Sequence, residues 1–173
     1  MTRKPRIPRP LINTMLLATH RASKLSAQQR RDLMTPARAA LDALAEGHGS
    51  IHVWQQMADV LNLSEALCEL RIAGNLRGTV DLAQAALVAL MERAHAQQRR
   101  GWTLYGPELS ALREGVWLYG AQIELCSAGE HLRAIDIVRN RITGALAGNA
   151  SPRAVVHDSS SGSGRDKLET PCK

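Results

Sequence analysis

The chain contains no phenylalanine and few other aromatics: Trp54, Trp102, Tyr105, Trp117 and Tyr119 are the full set in 173 residues. A core built on aromatic rings is excluded, so leucine and alanine must carry the packing, and both are strong helix formers. β-Branched residues are sparse as well, which argues against an extensive sheet. The three cysteines, Cys68, Cys126 and Cys172, are far apart, form no CxxC, and cannot close a disulfide framework among themselves. Cys68 and Cys126 sit among apolar neighbours and read as small buried hydrophobes in a reducing compartment. No apolar run approaches the roughly 20 residues of a membrane span. The apolar stretch 11–18 is short and runs into His20 and Arg21, unlike a secretory signal. These absences lead us to expect a one-domain cytoplasmic protein that makes no use of a membrane.

The motifs of common catalytic sites are missing too. There is no phosphate-binding glycine loop, GxSxG, HExxH or EF-hand pattern. His48 and His52 have the i, i+4 spacing of a ligand pair. Gly49 and Ser50 lie between them, however, and no third ligand is near in sequence. Cys126, Glu130 and His131 form a second polar group. Its spacing across Ser127 and Gly129 reads as a helix boundary, with Glu130 in a first turn where negative charge is favoured. We therefore expect no catalytic residue, no metal and no cofactor, and a protein that is not an enzyme.

Charge of one sign is scarce in one region only. Residues 1–38 hold nine lysines and arginines against Asp32, a net +8. Residues 39–148 hold nine against twelve acids, a net −3, and residues 149–173 hold four against three. The overall +6 thus belongs to the N-terminal segment, and any attraction to phosphates must begin there. The candidate nucleic-acid contacts are Arg3, Lys4, Arg6, Arg9, Arg21, Lys24, Arg30 and Arg31. The first four lie among Pro5, Pro8 and Pro10, a density that opposes a helix and favours an extended arm.

Hydrophobic periodicity and capping signals divide the rest. A flexible basic arm is expected over 1–10, a helical domain over 11–147, and a disordered tail over 148–173, where SSSGSG has linker composition. A short helix suits 11–25. Ser26 can cap a second one, with Gln29 completing a capping box. Thr35 and Pro36 can open a third that Gly47 and Gly49 end. Ser50 caps a long helix carrying Trp54, Ala58, Leu61, Cys68 and Ile72 on one stripe, closed by Gly74 and Asn75. Thr79 caps the next and Pro107 opens another, ended by Gly129; a final amphipathic helix begins near Glu130. With connections of two to seven residues, the expected fold is all-α. It is an antiparallel helical bundle of about four long helices, preceded by short N-terminal ones.

Two stretches invite functional readings. Residues 55–70, QQMADVLNLSEALCEL, have the pattern of a helix-turn-helix, with Ala58 at the small position, Asn62 at the turn and Ser64 starting a recognition helix. Arg71 falls where an apolar residue belongs, and Glu65 and Glu69 would face phosphates. One uninterrupted helix fits the same residues. In EGVWLYG, Gly115 and Gly120 interrupt a helix at about 1 kcal/mol each, which close helix approach would explain. Trp102, Tyr105, Trp117 and Tyr119 could instead line a partner groove, whereas Trp54 and Trp117 are both expected to be at least partly buried.

The stretches WQQMADVLNLSEA, LYGPELSAL and GEHLRAID give residues 12–147 a further character. Over them the chain resembles uncharacterised small helical proteins of bacterial phages, plasmids and integrated elements. The resemblance implies an accessory role and assigns no functional residue. Together these features suggest a non-enzymatic binding or adaptor protein with a protein partner or self-association. The alternative is a small DNA-binding regulator that uses the basic N-terminal segment, with or without 55–70.

Overall fold

The computed structural model describes residues 14–97 and 102–146. It contains six α-helices: α1 (Thr14–Ala22), α2 (Ala27–Ala45), α3 (Ile51–Glu69), α4 (Arg77–Ala96), α5 (Gly106–Leu125) and α6 (Ala128–Leu146). A single 3-10 turn, Gly74–Leu76, precedes α4. The fold is the expected all-α bundle. The arm over 1–10, the tail over 148–173 and Cys172 lie outside the described residues. No helix among the described residues is long and apolar enough to cross a membrane.

Ser26 begins α2 as expected, accepting from the Gln29 amide at 3.2 Å while the Gln29 side chain accepts from the Ser26 amide at 2.8 Å. The two helices expected on either side of Thr35 are one, because Pro36 lies inside α2 rather than at a start. Proline removes one backbone donor there and costs about 3 kcal/mol. Against that, Leu33, Ala37, Ala40 and Leu44 form an unbroken apolar stripe across the proline, the last three fully buried. Burying one leucine is worth roughly 1.5–3 kcal/mol, so the stripe outweighs the break. Thr35 does not cap; its hydroxyl donates to the Arg31 carbonyl at 2.8 Å.

Helix α3 is the centre of the bundle and touches α2, α4, α5 and α6. Ser50 caps it by accepting from Val53. Trp54 is buried, and its indole N–H donates to the Leu87 carbonyl at 2.8 Å. The helix runs unbroken through Asn62 and Ser64, so no helix-turn-helix forms over 55–70. It ends at Glu69, short of the expected close at Gly74 and Asn75. Arg71 turns into the left-handed region at φ 65, its amide donates to Cys68, and the Ile72 amide donates to Leu67. That pairing is a Schellman ending. The turn carries the chain into α4, which begins at Arg77, so Thr79 lies within the first turn instead of capping it.

Helices α4 and α5 run antiparallel, with Ala83 opposite Gly115 and Arg93 opposite Glu108. A Cβ on Gly115 would lie 2.8 Å from the Ala83 Cβ and 2.9 Å from Leu61 Cδ2. That glycine therefore sets how closely three helices meet. Gly120 has no such role, because a Cβ there would only touch Met34 at 3.4 Å. Helix α5 ends at Leu125, earlier than expected, and Gly129 belongs to the first turn of α6. Ser127 and Glu130 cap α6 reciprocally, with Glu130 Oε2 accepting from the Ser127 amide at 2.7 Å and Ser127 Oγ accepting from the Glu130 amide at 3.2 Å. The Ala128 amide donates to the Ser23 carbonyl at 2.8 Å, joining the start of α6 to the end of α1. A Cβ on Gly129 would lie 2.8 Å from the Arg21 carbonyl oxygen.

Candidate nucleic-acid interface

Most cations of the α3–α6 body are occupied. Glu65 is buried on α3, and its carboxylate accepts from Arg77, from Arg141 at 3.3 Å and from Gln84 at 3.3 Å. One turn on, Glu69 pairs with Arg141 at 2.5 Å and with Arg77 at 3.4 Å. The two acids that opposed a DNA-reading role for 55–70 thus tie α3 to α4 and α6. On the far side, Arg93 grips Glu108 with two bonds of 2.6 and 2.5 Å and lies 4.4 Å over the Tyr105 ring. Burial pushes the Glu108 carboxyl up. The Arg93 hydrogen bonds, the Tyr105 amide and the Arg93 charge outweigh it and leave the group below the usual carboxylate range.

The cations of α2 are placed differently. Arg30 and Arg38 are eight residues apart, and Arg31 and Arg38 seven apart, so all three lie along one side of the helix. With Met34 and Thr35 they line a groove of about 390 Å³, closed on the other side by Glu124 of α5. Arg30 is half-buried; Arg31 and Arg38 are exposed. None of the three pairs with a carboxylate among the described residues, and Arg31 donates to Gln28 at 2.7 Å. Arg21 is exposed in the last turn of α1, and Lys24 is exposed in the connection to α2. Of the eight candidate contacts, then, Arg30 and Arg31 are brought together, and Arg38 joins them through the helix repeat. Arg3, Lys4, Arg6 and Arg9 lie outside the described residues.

Two other hollows have different chemistry. The one between α1 and α6, about 640 Å³, sets Arg21 and Arg133 against Glu130 and Asp136 and so has no net charge. The one between α3 and α6, about 340 Å³, is mainly apolar, lined by Leu63, Ile135, Val138 and Ile142.

The four aromatics proposed for a partner groove are not brought to one surface. Tyr119 is buried in the core, and burial pushes its hydroxyl up to about 12. Trp102 is half-buried against Gly49. Tyr105 is exposed beneath Arg93. Trp117, expected to be partly buried, is 69% exposed. The stretch EGVWLYG turns Gly115 and Tyr119 inward, which leaves Trp117 on the outer side of α5.

Nucleophile and metal readings find little geometry. Cys68 and Cys126 are both buried, as expected, and burial pushes both thiols up, opposite to what a reactive thiolate needs. His48 and His52 are exposed at the start of α3. Among the described residues no group of three or more His, Cys, Asp or Glu is placed to hold a metal. Compared with protein-family models, with curated proteins and with solved structures, the chain matches none.

Proposed function

We propose that this is a non-enzymatic binding protein whose ligand is the phosphate backbone of nucleic acid. The observation that carries the reading is the groove on α2, where Arg30, Arg31 and Arg38 share one side without a carboxylate partner. Elsewhere Arg77, Arg93 and Arg141 are held by Glu65, Glu69 and Glu108. An arginine kept out of ion pairs offers a planar fork for phosphate oxygens. From Arg30 to Arg38 the helix rises about 12 Å, enough to meet successive phosphates of one strand. The three arginines belong to the net +8 of residues 1–38, whose other cations add to the same field. Contacts of this kind position a nucleic acid and carry no sequence information. A cytoplasmic setting, and an accessory role in a bacterial mobile element as the resemblance of WQQMADVLNLSEA and its companions implies, belong to the same proposal.

The test is a salt-titrated binding assay on duplex DNA with the full chain and with Arg30→Gln/Arg31→Gln/Arg38→Gln. Binding should weaken steeply with salt, and the triple variant should flatten the log–log slope by about 0.9 per lost contact. Salt-insensitive binding, or a triple variant that binds like the parent, would overturn the reading. An adaptor for a protein partner is the second reading, favoured by the apolar hollow between α3 and α6. It predicts no nucleic-acid affinity and loss of partner capture on Ile135→Asp with unchanged melting.

A further inference from the structure

Resting on the phosphate-backbone reading, we propose that Trp117 is a base-stacking platform beside the α2 groove, so that the preferred ligand is single-stranded nucleic acid. The register of two helices carries the argument. Met34 packs against Gly120, and Arg30 and Arg31 share the groove with Glu124. Helices α2 and α5 therefore run antiparallel there. One turn along α2 from Met34 brings Arg38; one turn back along α5 from Gly120 brings Trp117. Trp117 and Glu124 are seven residues apart, two helical turns on one stripe, and Glu124 lines the groove. The indole thus stands level with Arg38 at the groove's end.

Exposure of this ring is unusual in this chain. Of the three tryptophans, Trp54 is buried and bonded and Trp102 is half-buried, whereas Trp117 has 69% of its surface in solvent. The residues three and four ahead on its own helix are Gly120 and Ala121, too small to cover it. Arg113, one turn behind on the same stripe, is exposed and supplies a fourth cation. A cationic track that ends on an open aromatic face is the chemistry of single-strand recognition: arginines follow the backbone, and the ring takes a base that a duplex keeps stacked on its neighbours. Every base has a π-face, so the platform tolerates any sequence. Exposed Glu114 stands three residues before Trp117 on α5, and within the groove Glu124 is the discordant group. Its carboxylate makes no ion pair among the described residues and repels a strand entering the groove.

The experiment measures binding of the full chain to a short oligothymidylate and to a duplex of equal length, by anisotropy and by quenching of tryptophan emission. The parent should prefer the single strand, with emission quenched on binding. Trp117→Ala should weaken oligothymidylate binding about tenfold or more, abolish most of the quenching and leave the salt slope unchanged. Trp117→Phe should keep most of the affinity, and Glu124→Gln should tighten both ligands. Unchanged melting of both Trp117 variants would show that the loss is not one of folding. If Trp117→Ala binds the single strand like the parent, or the duplex is preferred, the platform is overturned. The phosphate reading then still stands, provided the triple arginine variant weakens binding. If neither ligand binds, both readings are overturned.

Discussion

The side-chain amide of Gln122 on α5 donates to the carbonyl of Ile72 at 3.1 Å, fastening the turn after α3 to a helix fifty residues on. The same amide nitrogen reaches the Ser64 carbonyl at 3.1 Å and the Cys68 sulfur at 3.2 Å, while its oxygen accepts from the Ser64 hydroxyl at 2.6 Å. Gln122 is fully buried, so no water replaces these bonds when the side chain is removed. Gln122→Leu should destabilise the fold by at least about 2 kcal/mol, because it strands a buried hydroxyl and carbonyls. Ser64→Ala, which strands only the Gln122 oxygen, should cost less. Urea melts of the three proteins check the order.

Arg71 occupies the left-handed region where glycine is free of a Cβ penalty. Arg71→Gly should raise stability by about 0.5–1 kcal/mol, the relief of that penalty less the added freedom of the unfolded chain. A lower melting temperature for the variant would mean that the exposed guanidinium contributes more than its backbone costs.

At Gly115 a Cβ would meet Ala83 and Leu61 below 3.0 Å. Gly115→Ala should therefore destabilise by about 1–3 kcal/mol, even though alanine is the better helix former. Adding Ala83→Gly should recover part of the loss, measured as a coupling in a double-mutant cycle.

His131 on α6 is buried, and its Nε2 has no hydrogen-bond partner. Burial lowers its pKa below the usual histidine value. The unfolded chain takes up a proton that the fold refuses, so stability falls as pH drops through and below the usual histidine range. His131→Leu should remove that acid sensitivity between about pH 7 and 5 without loss at neutral pH. Glu108 acts further down. Its lowered carboxyl contributes stability above the ordinary carboxylate range that is lost as pH falls through its folded value. Thermal melts of parent, His131→Leu and Glu108→Gln against pH separate the two.

Local chemistry was legible at some helix starts and not at others: Thr35 and Thr79, expected as caps, lie inside helices. Ser26 and Ser50 are recognisable as caps whose partners lie three residues away; near Glu130 the sequence shows only a helix boundary, and the reciprocal Ser127–Glu130 cap comes from the structure. Pro36 misled for the opposite reason: its penalty is local, whereas the stripe from Leu33 to Leu44 that overrides it gains energy only against α3 and α5. The end of α3 at Arg71 had no signal in residue type, since arginine is a poor left-handed residue and the turn is held from α5 by Gln122. In the candidate site the sign of the charge was legible and its arrangement was not. Arg38 gains meaning from Arg30, about two turns away on the same side of the helix, and Trp117 from an exposure that neighbouring Gly115 and Tyr119, both turned inward, decide.

Helix α1 packs chiefly against α6, through the Ser23 carbonyl and the space left by Gly129. During synthesis, at about 5–20 residues per second, α1 is made before α6, the surface that receives it, with α2 to α5 in between. For several seconds the Ser23 carbonyl and the α1 backbone at Arg21 have no docking surface on their own chain. Arg21 and Lys24 are thus presented to the ribosome's surroundings before the helix that their segment packs against exists.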